Sequence, residues 1–179
     1  QQGRPWFGLA AEPARPARYQ ERVIVYDYET TYDVYGQLEP YSLGYYIFTP
    51  SHNSDFSAEE PRVTLSYGAT PHEVTQPLLD EIARAPDDVR YTLVSFNGCR
   101  FDHFLLARAA IESNMLTGVF ATAGGGLRTL LIGLRHSTLD LAKLIPGTSL
   151  ANACASFVTS PKKLEGFSHT VVQQARERG

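Results

Sequence analysis

The sequence predicts an α/β domain with a mixed central sheet, and three observations support this prediction. Apolar runs of strand length, rich in β-branched and aromatic residues, occupy the first part of the chain at 23–29, 41–48 and 62–67. The apolar period then becomes helical, at 70–85 and again at 102–113. A further buried strand, 91–96, lies between the two helices. This order favours three antiparallel strands at the start of the sheet, with helices flanking it.

The first strand, 23–29, is a β-branched apolar run that ends in two carboxylates, Asp27 and Glu29. Strand side chains alternate with a period of two, so both acids project from one face. Like charges on one face repel each other and are costly to desolvate, and a divalent cation such as Mg²⁺ or Mn²⁺ would relieve both penalties. The alternative is a strand end at which both acids reach water, with Thr30 and Thr31 beginning a turn. This stretch alone leaves both interpretations open.

Both predicted helices have recognisable starts. In the first, Thr70 is expected to be the N-terminal cap and Pro71 the first helical residue. The second begins at Asp102, directly after a buried strand and an Asn-Gly turn. A carboxylate at this position either caps its own helix or faces Asp27 and Glu29 across the sheet, where it would complete a metal site.

The rest of the chain is predicted to form a hairpin, a short apolar segment and two helices. Residues 118–134 form the hairpin around the glycines that begin at Gly124. No Gly-Lys-Ser/Thr follows these glycines, which disfavours a phosphate-binding loop. Residues 139–144 form the apolar segment, a helix capped by Ser149 runs to Phe157, and 170–178 is helical in pattern.

Composition and charge describe an ordinary globular chain. Its 179 residues are 43% hydrophobic and 20% charged, which is sufficient for one sizeable core. The net charge of −3 gives no basic signature of a passive nucleic-acid coat. No apolar run approaches transmembrane length and no secretory signal is visible, so we expect an intracellular protein without a membrane partner. Cys99 and Cys154 match no metal-binding pattern. Free thiols are expected, and a disulfide between the two cysteines is the alternative.

The ends of the chain and its histidines lead to further expectations. Residues 1–22 are rich in proline and are predicted to be an extended lead-in, with the folded domain at 23–179. The chain begins Gln-Gln and its only methionine is Met115, so we expect it to be a piece of a longer polypeptide. Solvated or capping roles, rather than metal ligation, are expected for the five histidines, which are His52, His72, His103, His136 and His169.

Four stretches, taken in order, resemble motifs of a known enzyme family. Residues 27–30 (Asp-Tyr-Glu-Thr) resemble the first motif, Asp-x-Glu-Thr, of the DEDD 3′→5′ exonucleases, and 97–102 resemble the second, Asn-x-x-x-Phe-Asp. Both motif sequences are similar to those of the proofreading domain of family B DNA polymerases. The similarity is greatest to the protein-primed group of phages, adenoviruses and linear plasmids. Residues 139–150 are similar to that group's Asp-Ser-Leu-Lys-Leu-Leu-Pro-Gly-Ser-Leu segment, and 163–169 to its Lys-Leu-x-Phe-x-His stretch.

The resemblance implies an RNase H-like (DnaQ-like) fold and hydrolysis of the 3′-terminal phosphodiester of single-stranded DNA with two Mg²⁺ or Mn²⁺ ions. Metal binding and catalysis are implied for Asp27, Glu29 and Asp102. Substrate contacts are implied for Thr30, Asn97, Phe101 and Lys143. The implied partners are the 3′ end of single-stranded DNA, a polymerase domain of the same parent chain and a terminal protein primer, with a viral or plasmid source.

One family motif has no counterpart in the sequence. The third motif, Tyr-x-x-x-Asp, is imitated only by 136–140, and the order of motifs assigns Asp140 to a structural segment instead. We therefore expect the chain to end before that motif, to bind metal weakly and to be impaired or inactive alone. Two alternatives remain: a stand-alone DEDD-type exonuclease acting on RNA or DNA, and a non-catalytic scaffold or binding module on the same fold. The joint presence of Asp27, Glu29 and Asp102 argues against the scaffold.

Overall fold

The computed structural model describes residues 19–50 and 63–157. Within these ranges the strands are β1 (Gln20–Tyr32), β2 (Leu38–Phe48), β3 (Thr64–Tyr67), β4 (Val89–Ser95), β5 (Leu116–Ala121), β6 (Leu127–Ile132) and β7 (His136–Asp140). The helices are α1 (Pro71–Ala83), α2 (Asp102–Glu112) and α3 (Leu150–Phe157), with short 3₁₀ turns at Gly98–Arg100 and Leu141–Lys143. No helix in the described part of the chain is long and apolar enough to cross a membrane.

The seven strands form one mixed sheet in the order β3-β2-β1-β4-β7-β6-β5. The first three strands pair antiparallel, and β1, β4 and β7 run parallel to one another. The hairpin of β5 and β6 extends the sheet beyond β7 through antiparallel pairs. The mixed α/β class, the antiparallel first three strands and the flanking helices are therefore confirmed. Since β1, β4 and β7 are parallel, their carboxyl ends lie along one edge of the sheet.

The core lies between one face of the sheet and the helices α1 and α2. On β1, Tyr26 and Tyr28 point into this core and alternate with exposed neighbours. The Tyr28 hydroxyl lies 3.0 Å from the Thr75 hydroxyl of α1, and Leu78 and Leu106 are fully buried on the helices. Burial of a leucine side chain stabilises a fold by roughly 1.5–3 kcal/mol, so these two helices fix which face of the sheet is internal.

The predicted start of α1 is confirmed in detail. The Thr70 hydroxyl accepts a hydrogen bond from the Glu73 N–H at 3.2 Å, and Pro71 is the first helical residue. The Glu73 carboxylate in turn accepts from the Ala69 N–H at 2.9 Å. The first bond satisfies an amide that the first turn of a helix leaves without a partner, and the second holds the residue that precedes the cap. The predicted Ser149 cap of α3 is present as well, since its hydroxyl accepts from the Asn152 N–H at 3.2 Å.

Several strand boundaries differ from the prediction by two or three residues. β1 begins at Gln20, inside the segment assigned to the lead-in, because Gln20 pairs with Val89 of β4 and its N–H donates to the Asp88 carbonyl. The apolar segment predicted at 139–144 is instead the end of strand β7 followed by a 3₁₀ turn. The remaining lead-in, the helix predicted at 170–178 and the 163–169 stretch lie outside the described residues.

The expectation that the histidines are solvated or capping is wrong for two of them, His103 and His136. Both are buried, and His136 is 3% exposed on β7. Its Nδ1 accepts a hydrogen bond from the Tyr91 N–H at 3.0 Å, so the ring is neutral and completes the β4 backbone pairing. Burial, together with the nearby positive charge of Arg135, lowers the pKa of His136 to about 4.

We expect His136 to make the fold sensitive to acid. In the unfolded chain His136 is protonated near its ordinary pKa of 6.5, whereas in the folded chain it is protonated only near pH 4. Stability is therefore retained above pH 6.5 and lost progressively as the pH falls toward 4, by about 2–3 kcal/mol. In His136→Asn the side-chain oxygen can accept the Tyr91 N–H without titrating, so urea unfolding should show a flatter pH dependence between 4 and 6.5. The same slope in both proteins would contradict this prediction.

Candidate functional site

The two acids of the first motif lie side by side on the open face of β1. Asp27 and Glu29 are exposed and alternate with buried Tyr26 and Tyr28, which confirms that both project from one face. Both acids reach water, as the alternative interpretation expected, but its turn at Thr30 and Thr31 is wrong: both threonines are buried and continue the strand to Tyr32. They lie beyond Val25, where the pairing of β1 with β4 ends. The acids thus lie at the carboxyl edge of the parallel strands.

Asp102, the acid of the second motif, contacts β1 between these two acids. It is the first residue of α2, is 2% exposed, and its Oδ1 accepts a hydrogen bond from the Tyr28 N–H at 3.3 Å. Because β1 has already separated from β4 at this point, Asp102 supplies the acceptor that the neighbouring strand no longer provides. The helix has no side-chain cap at Phe101. The Asp102 carboxylate thus contacts the backbone of β1, and it also interacts with its own backbone N–H at the start of α2, so both roles predicted for it stay open.

Burial, and to a smaller extent neighbouring carboxylates, disfavour the ionised form of Asp102. Its pKa is raised to about 7, chiefly by burial and next by the charge of Asp27, and Asp140 adds to the effect. The bond from the Tyr28 N–H opposes this rise only in part. A cation near these oxygens would stabilise the ionised form, and carboxylate oxygens are the donors that Mg²⁺ and Mn²⁺ prefer. The donor chemistry therefore fits the implied ions.

The side chains do not form a ready-made ion cage. Among residues 19–50 and 63–157, no group of three or more His, Cys, Asp or Glu side chains is arranged so that it could hold a metal ion. The fold brings the acids of the two motifs to one edge of the sheet, and metal binding by Asp27, Glu29 and Asp102 stays a prediction.

Asp140 is buried at the same edge, at the end of β7. It is 3% exposed and lies beside Ser95 in the parallel register of β4 and β7. Its Oδ2 accepts from the Cys99 N–H at 3.2 Å, and its Oδ1 accepts from the Ala142 N–H at 3.0 Å. Both carboxylate oxygens are thus engaged by backbone amides, which agrees with the structural segment to which the sequence assigned this residue.

The four candidate substrate residues occupy different environments. Asn97 is exposed directly after β4 and has a left-handed backbone, with φ of 62°. Phe101 is half-buried next to Asp102. Lys143 is exposed in the 3₁₀ turn that follows β7, whereas Thr30 is buried on the core side of β1. Asn97 and Phe101 belong to the turn that leads into Asp102, and substrate contact by any of the four residues stays a prediction.

Sequence reasoning missed a buried polar layer beneath the site. His103, directly after Asp102, is fully buried, and its Nδ1–H donates to the Leu127 carbonyl at 2.7 Å. Gly98 lies against it: a Cβ at that position would be 1.8 Å from the Ser95 Oγ and 2.9 Å from the His103 Nε2. The turn after β4 therefore requires glycine. The Asn-Gly pair was the one available signal, and it indicated only a turn. The Cys99 thiol in the same turn is buried and free.

Comparison with known proteins yields a weak structural similarity. No family model matches the chain, and no curated protein matches it. Among solved structures, the chain is similar to Escherichia coli ExoI in its zinc-bound complex with single-stranded DNA, with a TM-score of 0.41 and 13% identity. The match covers 82% of this chain and 32% of that protein, so the chain spans about a third of its length. Similarity at this level is too low to define the function of the chain.

Proposed function

We propose that this chain is an RNase H-like 3′→5′ exonuclease domain that hydrolyses the 3′-terminal phosphodiester of single-stranded DNA. The observation that carries the proposal is the hydrogen bond from the Tyr28 N–H to Asp102 Oδ1. It joins residues 74 apart in the sequence. The donor lies between Asp27 and Glu29, so the bond brings the acids of two separate motifs to one edge of the sheet.

The parent protein in this proposal is a protein-primed DNA polymerase of family B, in which the domain proofreads. Support for this context comes from the sequence, through the similarity of 139–150 and 163–169 to stretches of that group. The proposed partners are accordingly the DNA 3′ end, a polymerase domain of the same parent chain and a terminal protein primer.

In the proposed mechanism Asp27, Glu29 and Asp102 would hold divalent ions. When bound, two such ions activate a water molecule and stabilise the leaving 3′ oxygen. Asp27 and Glu29 present their oxygens on the exposed face, where a DNA strand can approach. The Tyr28 N–H donates to the Asp102 carboxylate and holds it in place. The carboxylate therefore needs little reorganisation to bind an ion. Asn97, exposed at the end of β4, offers its amide to the substrate strand.

A non-catalytic scaffold on the same fold is the second candidate. One specific observation favours it: the described acids are not arranged as a group that could hold a metal ion. Against it, Asp102 is a buried carboxyl whose pKa is raised to about 7. A scaffold gains no stability from that arrangement, and strongly shifted buried acids are concentrated at functional sites.

The proposal is tested by digestion of a 5′-labelled single-stranded oligodeoxynucleotide with Mg²⁺ or Mn²⁺. We expect shortening from the 3′ end, and a rate at least roughly 10³-fold lower in Asp27→Asn, because about 4 kcal/mol of charge stabilisation is lost. Asp80→Asn, on the exposed side of α1, is the matched control and should retain the wild-type rate. An RNA oligonucleotide of the same sequence tests the preference for DNA.

A titration of Mn²⁺ followed by calorimetry separates a weak enzyme from a scaffold. Heat of binding that disappears in Asp27→Ala would support a metal site at the first motif. If neither protein binds Mn²⁺ and neither shortens DNA, this chain alone is not an active exonuclease, and the same two measurements on a longer piece of the parent chain separate a missing third motif from a scaffold.

A further inference from the structure

We propose that Asp140 is a positioning residue of this site: its buried carboxylate fixes the turn after β4 and thereby places Asn97 and Asp102 against β1. The inference rests on the proposed function, which supplies the reaction that the positioning serves. It assigns to Asp140 a role that neither motif contains.

The carboxylate of Asp140 ties together the carboxyl ends of two adjacent parallel strands. One oxygen accepts from Cys99 in the turn after β4, and the other accepts from Ala142 in the turn after β7. Because Ser95 and Asp140 are register partners, the side chain spans a single strand spacing to reach the neighbouring turn. A shift of either turn would break one of the two bonds.

The chemistry of this position favours an ionised carboxylate. An ionised carboxylate only accepts hydrogen bonds, and its two oxygens can serve several N–H donors at once. Burial alone would raise the pKa of Asp140, but hydrogen bonds from Cys99, Ala142 and Asn97 outweigh it and hold that pKa below its ordinary value. The pKa of Asp102, a few residues along the turn, is shifted upward instead. The two buried acids are thus in opposite environments, which suits an anchoring anion and a reactive acid.

The turn that Asp140 holds leads into Asp102 without an intervening loop. The Phe101 N–H donates to the Gly98 carbonyl at 3.0 Å, and the Phe104 N–H donates to the Phe101 carbonyl at 2.9 Å. Neither Asn97 nor Phe101 caps its helix through a side chain. Asp140 anchors this turn from the neighbouring strand, and a displacement of the turn would be transmitted directly to Asp102.

Asp33 provides the matched control, because its carboxylate also accepts hydrogen bonds from backbone amides but lies away from the site. Asp33 Oδ1 accepts from the Tyr35 and Gln37 N–H groups, at 2.8 and 2.6 Å, in the β1–β2 loop. Asp140→Ala and Asp33→Ala each remove a carboxylate that holds backbone amides. Asp140→Asn retains one acceptor oxygen and should give an intermediate result.

Two measurements test the inference: amide hydrogen exchange at Cys99, and steady-state digestion of single-stranded DNA. We expect Asp140→Ala to speed exchange at Cys99 at least about 10-fold relative to amides of β1, and to lower kcat roughly 10–100-fold with little change in KM. Asp33→Ala should change neither quantity. A purely structural loss would also lower the apparent kcat at unchanged KM, but only in proportion to the folded fraction, so kcat is expressed per folded molecule, with the folded fraction taken from urea unfolding.

The outcomes are distinguishable from failure of the proposed function. Unchanged Cys99 exchange in folded Asp140→Ala, or wild-type kcat, would overturn the role of Asp140. If the wild-type chain digests no DNA, the kinetic comparison gives no result for this chain alone, and exchange at Cys99 still decides whether Asp140 anchors the turn, independently of the proposed function. If Asp140→Ala does not fold, Asp140→Asn replaces it in both measurements.

Discussion

Asp102→Asn should stabilise the fold at pH 8 by as much as about 4 kcal/mol when divalent metal is absent. The pKa of Asp102 is raised from 3.8 to about 7, so the folded chain at this pH carries a buried charge that the unfolded chain accommodates in water. A tenfold difference in proton affinity between the folded and unfolded states corresponds to about 1.4 kcal/mol. Asparagine removes the charge and keeps an oxygen that can accept the Tyr28 N–H.

The advantage of the asparagine variant should depend on pH in a defined direction. Below about pH 4 the wild-type carboxyl is protonated in both states, and the two proteins should be equally stable. Between pH 4 and 7 the folded state holds a proton that the unfolded state has lost, so wild-type stability falls relative to the variant. Above pH 7 the difference in free energy of unfolding between the two proteins should no longer change with pH.

Urea unfolding in EDTA at pH 4 and pH 8 measures this difference, and Asp80→Asn serves as the surface control, with a change below about 0.5 kcal/mol. Added Mn²⁺ should stabilise the wild type and not the variant, because only the wild type offers the full acidic set. A destabilised Asp102→Asn at pH 8 would show that the charge is compensated in the fold and would contradict the prediction.

Gly98→Ala should destabilise the fold by roughly 3 kcal/mol or more, through overpacking. The added Cβ would lie 1.8 Å from the Ser95 Oγ and 2.8 Å from the His103 Cδ2, and both side chains are buried. The buried His103 ring is held by its bond to the Leu127 carbonyl and the Ser95 hydroxyl has little room to rotate away, so we expect the turn to move. The same movement would displace Asp102 from Tyr28, so activity should fall with stability.

Gly124→Ala is the control for this substitution, since nothing lies within 4 Å of its added Cβ and its backbone is not left-handed. Its free energy of unfolding should change by less than about 0.5 kcal/mol. Thermal and urea unfolding of both variants measure the difference. Combining Gly98→Ala with Ser95→Ala should recover part of the loss, because the nearest clash is with the Ser95 hydroxyl. Additive losses in the double variant would show that the Ser95 contact does not cause the destabilisation.

Local patterns predicted those parts of the fold whose signals lie within a few residues. The alternation of β1 and the Thr70 cap are set by neighbours in sequence, and both were recovered. Strand β7 was not, because its inward residues include His136 and Asp140, which pattern analysis treats as polar. Their burial depends on amides of Tyr91 and Cys99, 45 and 41 residues away. The sequence does not show those partners.

Two short motifs led to the choice of Asp27, Glu29 and Asp102 as candidate site acids, and their role as metal ligands stays a prediction. The structure shows that Asp102 accepts from the Tyr28 N–H, between the other two acids, and no local pattern indicated what supports this contact. The anchoring by Asp140 and the close packing at Gly98 required knowledge of which strands are adjacent. The order β1-β4-β7 supplies it.

The alternation along β1 also restricts how the chain can misfold. A slip of this strand by one residue would turn Asp27 and Glu29 into the core and move Tyr26 and Tyr28 into water. Two carboxylates placed in an apolar core would make that slipped state far less stable than the native one. The acids that are proposed to bind the metal ions therefore also disfavour a shifted register of β1. Replacing both with apolar residues would remove the cost of burying two carboxylates in the slipped state and allow β1 to pair in the wrong register.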